Sequence, residues 1–196
     1  MSITVLENYL PPDALPSLQE WFGNHRIHIR ITRSRTSKLG DYRKMPDGSH
    51  QISVNSNLQP HLFFFVLTHE LAHLVAFDRY AGRITAHGPE WKKIFSDMLI
   101  SSIRVYPEDL QPSIFRFSRS PKASFTASPE LVRYFHIEDA KDETCYLDDL
   151  ALNDRFTYRK KIYVIEQKRN KNYICVQLES GKKYIFKPLA RVEKIS

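Results

Sequence analysis

The sequence predicts an α+β protein, in which a short antiparallel sheet packed on an apolar helix is followed by a small all-β barrel-like module. Three observations support this prediction. Strand and helix periodicities alternate within residues 1–105. From Arg155 onward the pattern changes to period two, with closely spaced short strands. Of the 196 residues 42% are hydrophobic and 12% aromatic, which is enough for a core without disulfides.

The first part of the chain begins with a helix and a strand. Apolar residues at helical spacing predict a helix over residues 12–23. The alternation of Ile27, Ile29 and Ile31 then predicts a strand over residues 28–32. Two further strand candidates, 42–44 and 50–54, flank the turn sequence Pro46-Asp47-Gly48 and predict a hairpin.

Two helices are predicted after this hairpin. The first starts near Pro60 and carries a strongly apolar run from Leu62 to Phe77. The second follows Gly88-Pro89, and its apolar stripe consists of Trp91, Ile94, Phe95, Met98 and Leu99. We therefore place the first domain at residues 1–105.

The remainder of the chain divides into a connector and a module. Residues 106–150 contain Pro107, Pro112, Pro121 and Pro129 and predict an irregular connecting segment with one short helix near 129–135. Residues 151–196 predict five strands, with a turn at Ser180-Gly181, and a barrel of the SH3 or OB kind. The five ranges are 155–158, 162–166, 173–179, 184–186 and 191–195.

The motif His69-Glu70-Leu71-Ala72-His73 (HExxH) lies within the apolar helix. Positions i and i+4 project from one helix face, so both imidazoles can bind one zinc ion. Glu70 lies about 100° around the helix and can take a proton from the water that zinc activates. The alternative is a pair of hydrogen-bonded core histidines, but polar residues on a buried helix need a reason.

A catalytic zinc usually has a third protein ligand. The residues after His73 do not continue the HExxHxxGxxH pattern. His87 and Glu90 are the candidates, and His87 is favoured because Gly88 and a proline at the first helical position fix its direction. Glu90 is expected in the first helical turn, where the helix dipole favours a carboxylate.

The HExxH motif followed about 14 positions later by His87-Gly88-Pro89-Glu90-Trp91 resembles the SprT-like zinc peptidases, which include the Spartan proteases. Residues 37–42 and the strand ending at Asn55 are similar to that family as well. The resemblance covers roughly residues 10–105. It implies a zincin-like domain that binds one Zn²⁺ through His69, His73 and His87, uses Glu70 as the catalytic carboxylate, and cleaves protein substrates.

Family members of this kind cleave proteins attached to DNA, which implies a role in DNA repair, and many carry a zinc ribbon with paired cysteines. This chain has only Cys145 and Cys175, far apart, and a basic β module stands where the ribbon would be. That module, residues 151–196, contains 12 of the 29 lysines and arginines but 4 of the 22 acidic residues. DNA is therefore a candidate partner; the alternative is a well-solvated basic surface.

The basic residues of the module alternate with aromatic ones that can stack bases or fill the core. These aromatic residues are Tyr158, Tyr163, Tyr173, Tyr184 and Phe186, and the basic ones are Arg159, Lys160, Lys161, Lys168, Arg169, Lys171, Lys182, Lys183 and Lys187.

The composition also bears on location. The first 12 residues lack a basic start and an apolar stretch, the most apolar run is too short and too polar to span a membrane, and two cysteines are few. We expect a cytoplasmic protein that does not bind membranes, and the oligomeric state is left open.

Two functions compete at this point. The first is a zinc metallopeptidase whose extended substrate lies along the strand near residues 50–55. The second is a non-proteolytic, zinc-containing nucleic-acid-binding protein. Candidates for stabilising the oxyanion are Tyr42, Tyr80, His28 and Arg83.

Overall fold

The computed structural model describes residues 6–35, 37–135 and 144–195. The chain forms two compact units, residues 1–137 and 138–196. The first unit is a mixture of helices and one small sheet, and the second is built on a separate all-β sheet. The α+β class is therefore confirmed. The sequence-based division into a domain over residues 1–105, a connecting segment over 106–150 and a β module over 151–196 remains a prediction.

The small sheet of the first unit has three strands, β1 (Ile27–Thr32), β2 (Gly40–Lys44) and β3 (His50–Asn55), in the order β1-β3-β2. The hairpin of β2 and β3 is antiparallel, as its turn residues predict. The prediction of a purely antiparallel sheet is wrong, because β1 pairs with β3 in parallel. The chain leaves β1, crosses the end of β3 and enters the far edge of the sheet, so β3 becomes the central strand.

The first unit also contains the helices α1 (Ala14–Phe22), α2 (Pro60–Tyr80) and α3 (Pro89–Ser101). Both α2 and α3 begin with a proline at the first helical position, where the missing N–H is not needed. The predicted apolar stripe of α3 is fully buried. Helix α2 is the core helix, and its buried residues pack against the sheet, α1 and α3.

By length and hydropathy alone, α2 could cross a membrane. However, 67% of its most apolar window is buried inside the first unit, which is the pattern of a core helix in a globular protein. The sequence-based expectation of no leader segment rests partly on residues 1–5, which lie outside the described residues.

The segment after α3 is more ordered than the sequence predicts. It contains the helices α4 (Gln111–Ser118) and α5 (Pro129–Tyr134), together with short 3-10 turns at Ile103–Val105 and Phe125–Ala127. Helix α5 was predicted and α4 was not. Several buried residues of this segment belong to the core of the first unit: Tyr106, Leu110, Ile114, Phe117, Leu131 and Phe135.

The second unit is a six-stranded antiparallel sheet in the order β4-β9-β5-β6-β7-β8. Its strands are β4 (Cys145–Tyr146), β5 (Arg155–Tyr158), β6 (Lys161–Arg169), β7 (Asn172–Gln177), β8 (Lys183–Phe186) and β9 (Arg191–Ile195). The five predicted strands are all present, and β4 adds a sixth. Phe156, Ile165, Cys175 and Val192 lie in its separate core.

Candidate metal centre

Helix α2 carries the HExxH residues on its middle turns. Residues within the motif and on both sides of it are fully buried, including Leu67, Leu71 and Leu74. His69 and His73 are four positions apart and partly exposed, whereas Glu70 is 7% exposed. The helix therefore presents two imidazoles and one carboxylate from an otherwise apolar surface.

His87 reaches the same place from the loop between α2 and α3. Its φ is +60°, a left-handed conformation that few non-glycine residues adopt. The backbone N–H of Gly88 donates to the carbonyl of Thr85 at 2.9 Å, and α3 begins at Pro89. A Cβ on Gly88 would lie 2.8 Å from the same carbonyl oxygen, so glycine is required there. This tight turn fixes the direction of the His87 side chain.

The three imidazoles converge through their Nε2 atoms. The Nε2 atoms of His73 and His87 are 3.0 Å apart, and those of His87 and His69 are 3.2 Å apart. Tetrahedral zinc with Zn–N distances of 2.0–2.1 Å separates neighbouring ligand nitrogens by about 3.3–3.4 Å. The observed Nε2–Nε2 distances agree with this separation to within a few tenths of an ångström. The trio could therefore hold one metal ion.

The surroundings keep these imidazoles neutral. Burial, with a smaller contribution from the neighbouring histidines, lowers the pKa of His69 to about 3 and that of His73 to about 4. Burial and the charge of Lys92 also lower the pKa of His87. Metal binding requires the neutral imidazole with a free lone pair, so the site is in the ligating form at neutral pH.

Trp91 is the platform under the three histidines. Its ring centroid lies 4.7 Å from that of His69, 5.1 Å from that of His73 and 4.6 Å from that of His87. Trp91 is fully buried and packs on Phe95 of the same helix. The sequence alone predicted Trp91 only as part of the apolar stripe of α3. Its position in the first turn of that helix, four residues after His87, was the available signal.

Glu70 faces strand β2, which approaches α2 closely at Gly40. A Cβ on Gly40 would lie 2.5 Å from Glu70 Oε1 and 2.7 Å from Val66 Cγ1. Burial, with a smaller contribution from Asp41, raises the pKa of Glu70 to about 8, and Lys38 opposes this rise. Only glycine at position 40 leaves room for the carboxyl group.

These groups line one cavity of about 870 Å³. Its walls come from α2, from residues 37–42, from the loop that contains His87, and from residues 123–126. His69, Glu70, His73 and His87 all face it. A cavity of this size can take several residues of an extended peptide.

The other candidates from the sequence are distributed differently. Glu90 is not part of the metal-ligating group formed by described residues, and it lies in the first turn of α3 as expected. Of the four oxyanion candidates, Tyr42 lines the cavity, and the remaining three do not. The ring of Tyr42 stacks on His73 at 6.2 Å, and its hydroxyl oxygen lies 2.9 Å from His50 Nδ1.

Comparison with known proteins gives one match. Residues 17–107 match the model of the SprT-like family, which confirms the resemblance seen in the sequence over this segment. The matched residues include α2, the loop with His87 and α3, and therefore all three histidines. No curated protein and no solved structure shows a significant match to the chain.

Proposed function

We propose that the SprT-like region of this chain, residues 17–107, forms the catalytic centre of a zinc-dependent metallopeptidase with a zincin-like arrangement. The main support for this proposal is that three imidazole Nε2 atoms converge in a cavity that is also lined by a buried carboxyl group. His69, His73 and His87 are the zinc ligands, and Glu70 is the general base. Zinc is favoured over other ions because three neutral imidazoles suit its tetrahedral site.

The chemistry divides between the ion and the chain. When bound, Zn²⁺ polarises the scissile carbonyl and makes water acidic enough to be a nucleophile at neutral pH. Glu70, in the carboxylate form that the charge of nearby Zn²⁺ favours, takes the proton from the attacking water and returns it to the leaving amine. Trp91 holds the three imidazoles in place, and Gly40 leaves the space in which the Glu70 carboxyl group can turn.

We expect an extended substrate to pair with a different strand from the one near residues 50–55 that the sequence predicts. Strand β3 is hydrogen-bonded on both sides, to β1 and to β2, so no peptide can pair with it. Strand β2 is an edge of the sheet, and its residues Gly40, Asp41 and Tyr42 line the cavity. We therefore place an extended polypeptide along β2, where main-chain hydrogen bonds can hold it without regard to its sequence.

The peptidase activity is tested with the zinc-loaded full chain and unfolded casein, with and without DNA. We expect cleavage that stops when 1,10-phenanthroline removes the metal and returns with added zinc. As a matched control, His28→Ala removes an exposed histidine outside the cavity and should leave cleavage unchanged. A protein that holds one zinc per chain and cuts casein under neither condition would support the non-proteolytic alternative instead.

Binding of DNA through the second unit is a second proposal, supported by exposed charge. All nine basic residues singled out from the sequence are exposed, although Lys168 and Lys183 pair with Asp148 and Glu166. Tyr163, Tyr173 and Phe186 are buried in the core and cannot stack on bases. Tyr184 is 39% exposed, which leaves it as the most accessible aromatic of the set.

The DNA proposal is tested by fluorescence anisotropy with a labelled single-stranded oligonucleotide. Changing Lys160, Lys171 and Lys182 together to Glu should weaken binding and flatten its dependence on salt. A matched triple change in the first unit, at Lys93, Arg104 and Lys122, alters the net charge equally. Equal losses from both triple variants would contradict a binding surface on the second unit. A cytoplasmic location follows from neither proposal and remains a prediction.

A further inference from the structure

The cavity extends along α2 in both directions from the histidines. Phe65 lies one helical turn before His69, and Phe77 lies one turn after His73. Twelve positions at 1.5 Å per residue separate these two phenylalanines by about 18 Å. An extended peptide, at about 3.3 Å per residue, covers that length with about five residues. The metal ligands therefore lie in the middle of a channel that has two ends.

The end near Phe65 is closed by residues that lie outside the family match. Residues 123–126 line the cavity, whereas the SprT-like match stops at residue 107. The ring of Phe125 lies 6.3 Å from that of Phe65 and 5.8 Å from that of Phe135. The 3-10 turn Phe125–Ala127 is fixed at its start because the Ser124 side chain accepts a hydrogen bond from the Thr126 N–H. This wall therefore lies outside the segment that matches the family model.

The lining at this end carries no charge. At this end helix α2 contributes Phe65, and the segment packed against it contributes Ala123, Ser124, Phe125 and Thr126. The charged residues of the lining, Lys38, Asp41 and Glu70, come from other positions. Burying an apolar side chain against this lining is favourable. Burying a charged side chain there would cost free energy, because the charge would lose its hydration without gaining a partner.

We propose that the packed rings of Phe65 and Phe125 together form one apolar wall of a substrate subsite that accepts one large apolar side chain next to the scissile bond. This inference rests on the proposed peptidase function and adds its substrate class, peptides with an aliphatic or aromatic residue at that position. Phe65 is buried in the core, and Phe125, which is partly exposed, forms the accessible part of this wall. The subsite lies one helical turn from His69, so the peptide side chain it holds belongs to a residue beside the cleaved bond.

The direct test is peptide binding to the zinc-loaded Glu70→Gln full chain, which separates binding from cleavage. The probes are fluorescent peptides that are identical except for Gly, Asp, Leu or Phe at one central position. We expect the Leu and Phe peptides to bind about 10-fold or more tightly than the Gly and Asp peptides. Cleavage sites that the wild-type chain produces in casein should show the same preference on one side of the bond.

Variants of the wall identify the residue responsible. Phe125→Ala should reduce the preference for Leu and Phe to within about threefold of Gly, and Phe125→Leu should retain part of it. Phe115→Ala is the matched control, because Phe115 is 53% exposed and does not line the cavity. Ala123→Trp, at an exposed position of the same wall, should fill the subsite and weaken binding of the Phe peptide selectively. It serves as the second variant if Phe125→Ala does not fold.

The outcomes separate this inference from the proposed function. Cleavage of casein without an apolar preference would overturn the subsite and leave the peptidase intact. A clear binding preference in Glu70→Gln, together with no cleavage by the wild-type chain, would overturn the peptidase and leave the subsite. A preference that survives both Phe125→Ala and Ala123→Trp would show that the wall is elsewhere.

Discussion

His87 holds its imidazole at the metal centre from a left-handed backbone conformation. Such a conformation costs about 1–2 kcal/mol for a residue with a Cβ. The tight turn through Gly88 and the start of α3 at Pro89 maintain it. Backbone strain of this kind is found where the surrounding structure requires one position of a side chain, and here that position brings the His87 imidazole to the histidine group that could hold a metal ion.

His87→Ala should abolish stoichiometric zinc binding, because two imidazoles of α2 alone leave half of a tetrahedral site to water. The measurement is the zinc content per chain after dialysis against a weak chelator. His28→Ala, at an exposed position outside the cavity, should keep one zinc per chain. If His87→Ala retained a full equivalent of zinc, His87 would not be the third ligand.

Gly40 tests the position of the Glu70 carboxyl group. Gly40→Ala would bring a methyl group within 2.5 Å of Glu70 Oε1, so the carboxyl group must move. We expect peptidase activity to fall about 100-fold while zinc content stays at one per chain, because the base is displaced and the ligands are not. Gly48→Ala is a control, since a Cβ there meets nothing within 4 Å. Because Gly48 has a positive φ of +81°, we expect its replacement by Ala to lower stability by about 1 kcal/mol.

At the scale of elements, the crossing from β1 to β2 depends on Asn55 at the end of β3. Asn55 is 1% exposed, and its side-chain amide donates to the carbonyls of Arg35 and Lys38 at 3.1 and 3.2 Å. Its side-chain oxygen accepts from Arg35 Nε at 2.8 Å. The buried Asn55 side chain therefore holds the backbone at Arg35 and Lys38, just before Leu39 and Gly40, which line the cavity.

Asn55→Ala should destabilise the first unit by about 1–3 kcal/mol, because it leaves buried polar groups without partners. Hydrogen exchange should speed up locally in residues 33–35 and 37–41, and activity should fall more than zinc content. Urea unfolding together with exchange mass spectrometry measures both effects. Unchanged exchange in that segment would mean that the segment is held by other contacts.

Local patterns account for most elements but not for their arrangement. Helices α2 and α3 and the hairpin of β2 and β3 follow from apolar periodicity, capping prolines and turn residues. The parallel pairing of β1 with β3 depends on a chain crossing that Asn55 fixes, and no local pattern records it. Helix α4 was missed because Pro112 was interpreted as a breaker, whereas it lies in the first helical turn, which tolerates proline.

The metal centre was more predictable than the cavity around it. The i and i+4 spacing on one helix places His69 and His73 on the same face. The sequence His87-Gly88-Pro89 predicts a turn followed by a helix. The wall formed by Phe65 and Phe125 joins residues 60 positions apart in sequence. Contacts of that range depend on how α4 and α5 return to the core, and periodicity within a short window cannot show them.

At the scale of the whole molecule, the chain has two separate cores. Leu62, Trp91 and Phe135 belong to the core of the first unit, and Phe156 and Cys175 belong to that of the second. Each unit therefore has the internal packing that independent folding requires. The family match, residues 17–107, lies entirely in the first unit.

Residues 1–137 alone should fold cooperatively and bind one zinc, since the whole ligand set and its platform lie within them. A truncation at residue 105 should fail, because it removes buried residues of the same core, including Tyr106, Ile114 and Phe135. Thermal unfolding and zinc content of the two fragments test this. A stable, zinc-binding fragment ending at residue 105 would contradict the role of α4 and α5 in the core.

The central claim, that Glu70 is the general base of a zinc peptidase, is tested most directly by Glu70→Gln. The amide keeps the size of the side chain but cannot accept the proton. Zinc content and casein cleavage are measured on the same preparation of the full chain. We expect one zinc per chain and cleavage lowered about 100-fold or more; full cleavage by the zinc-loaded variant would contradict the claim.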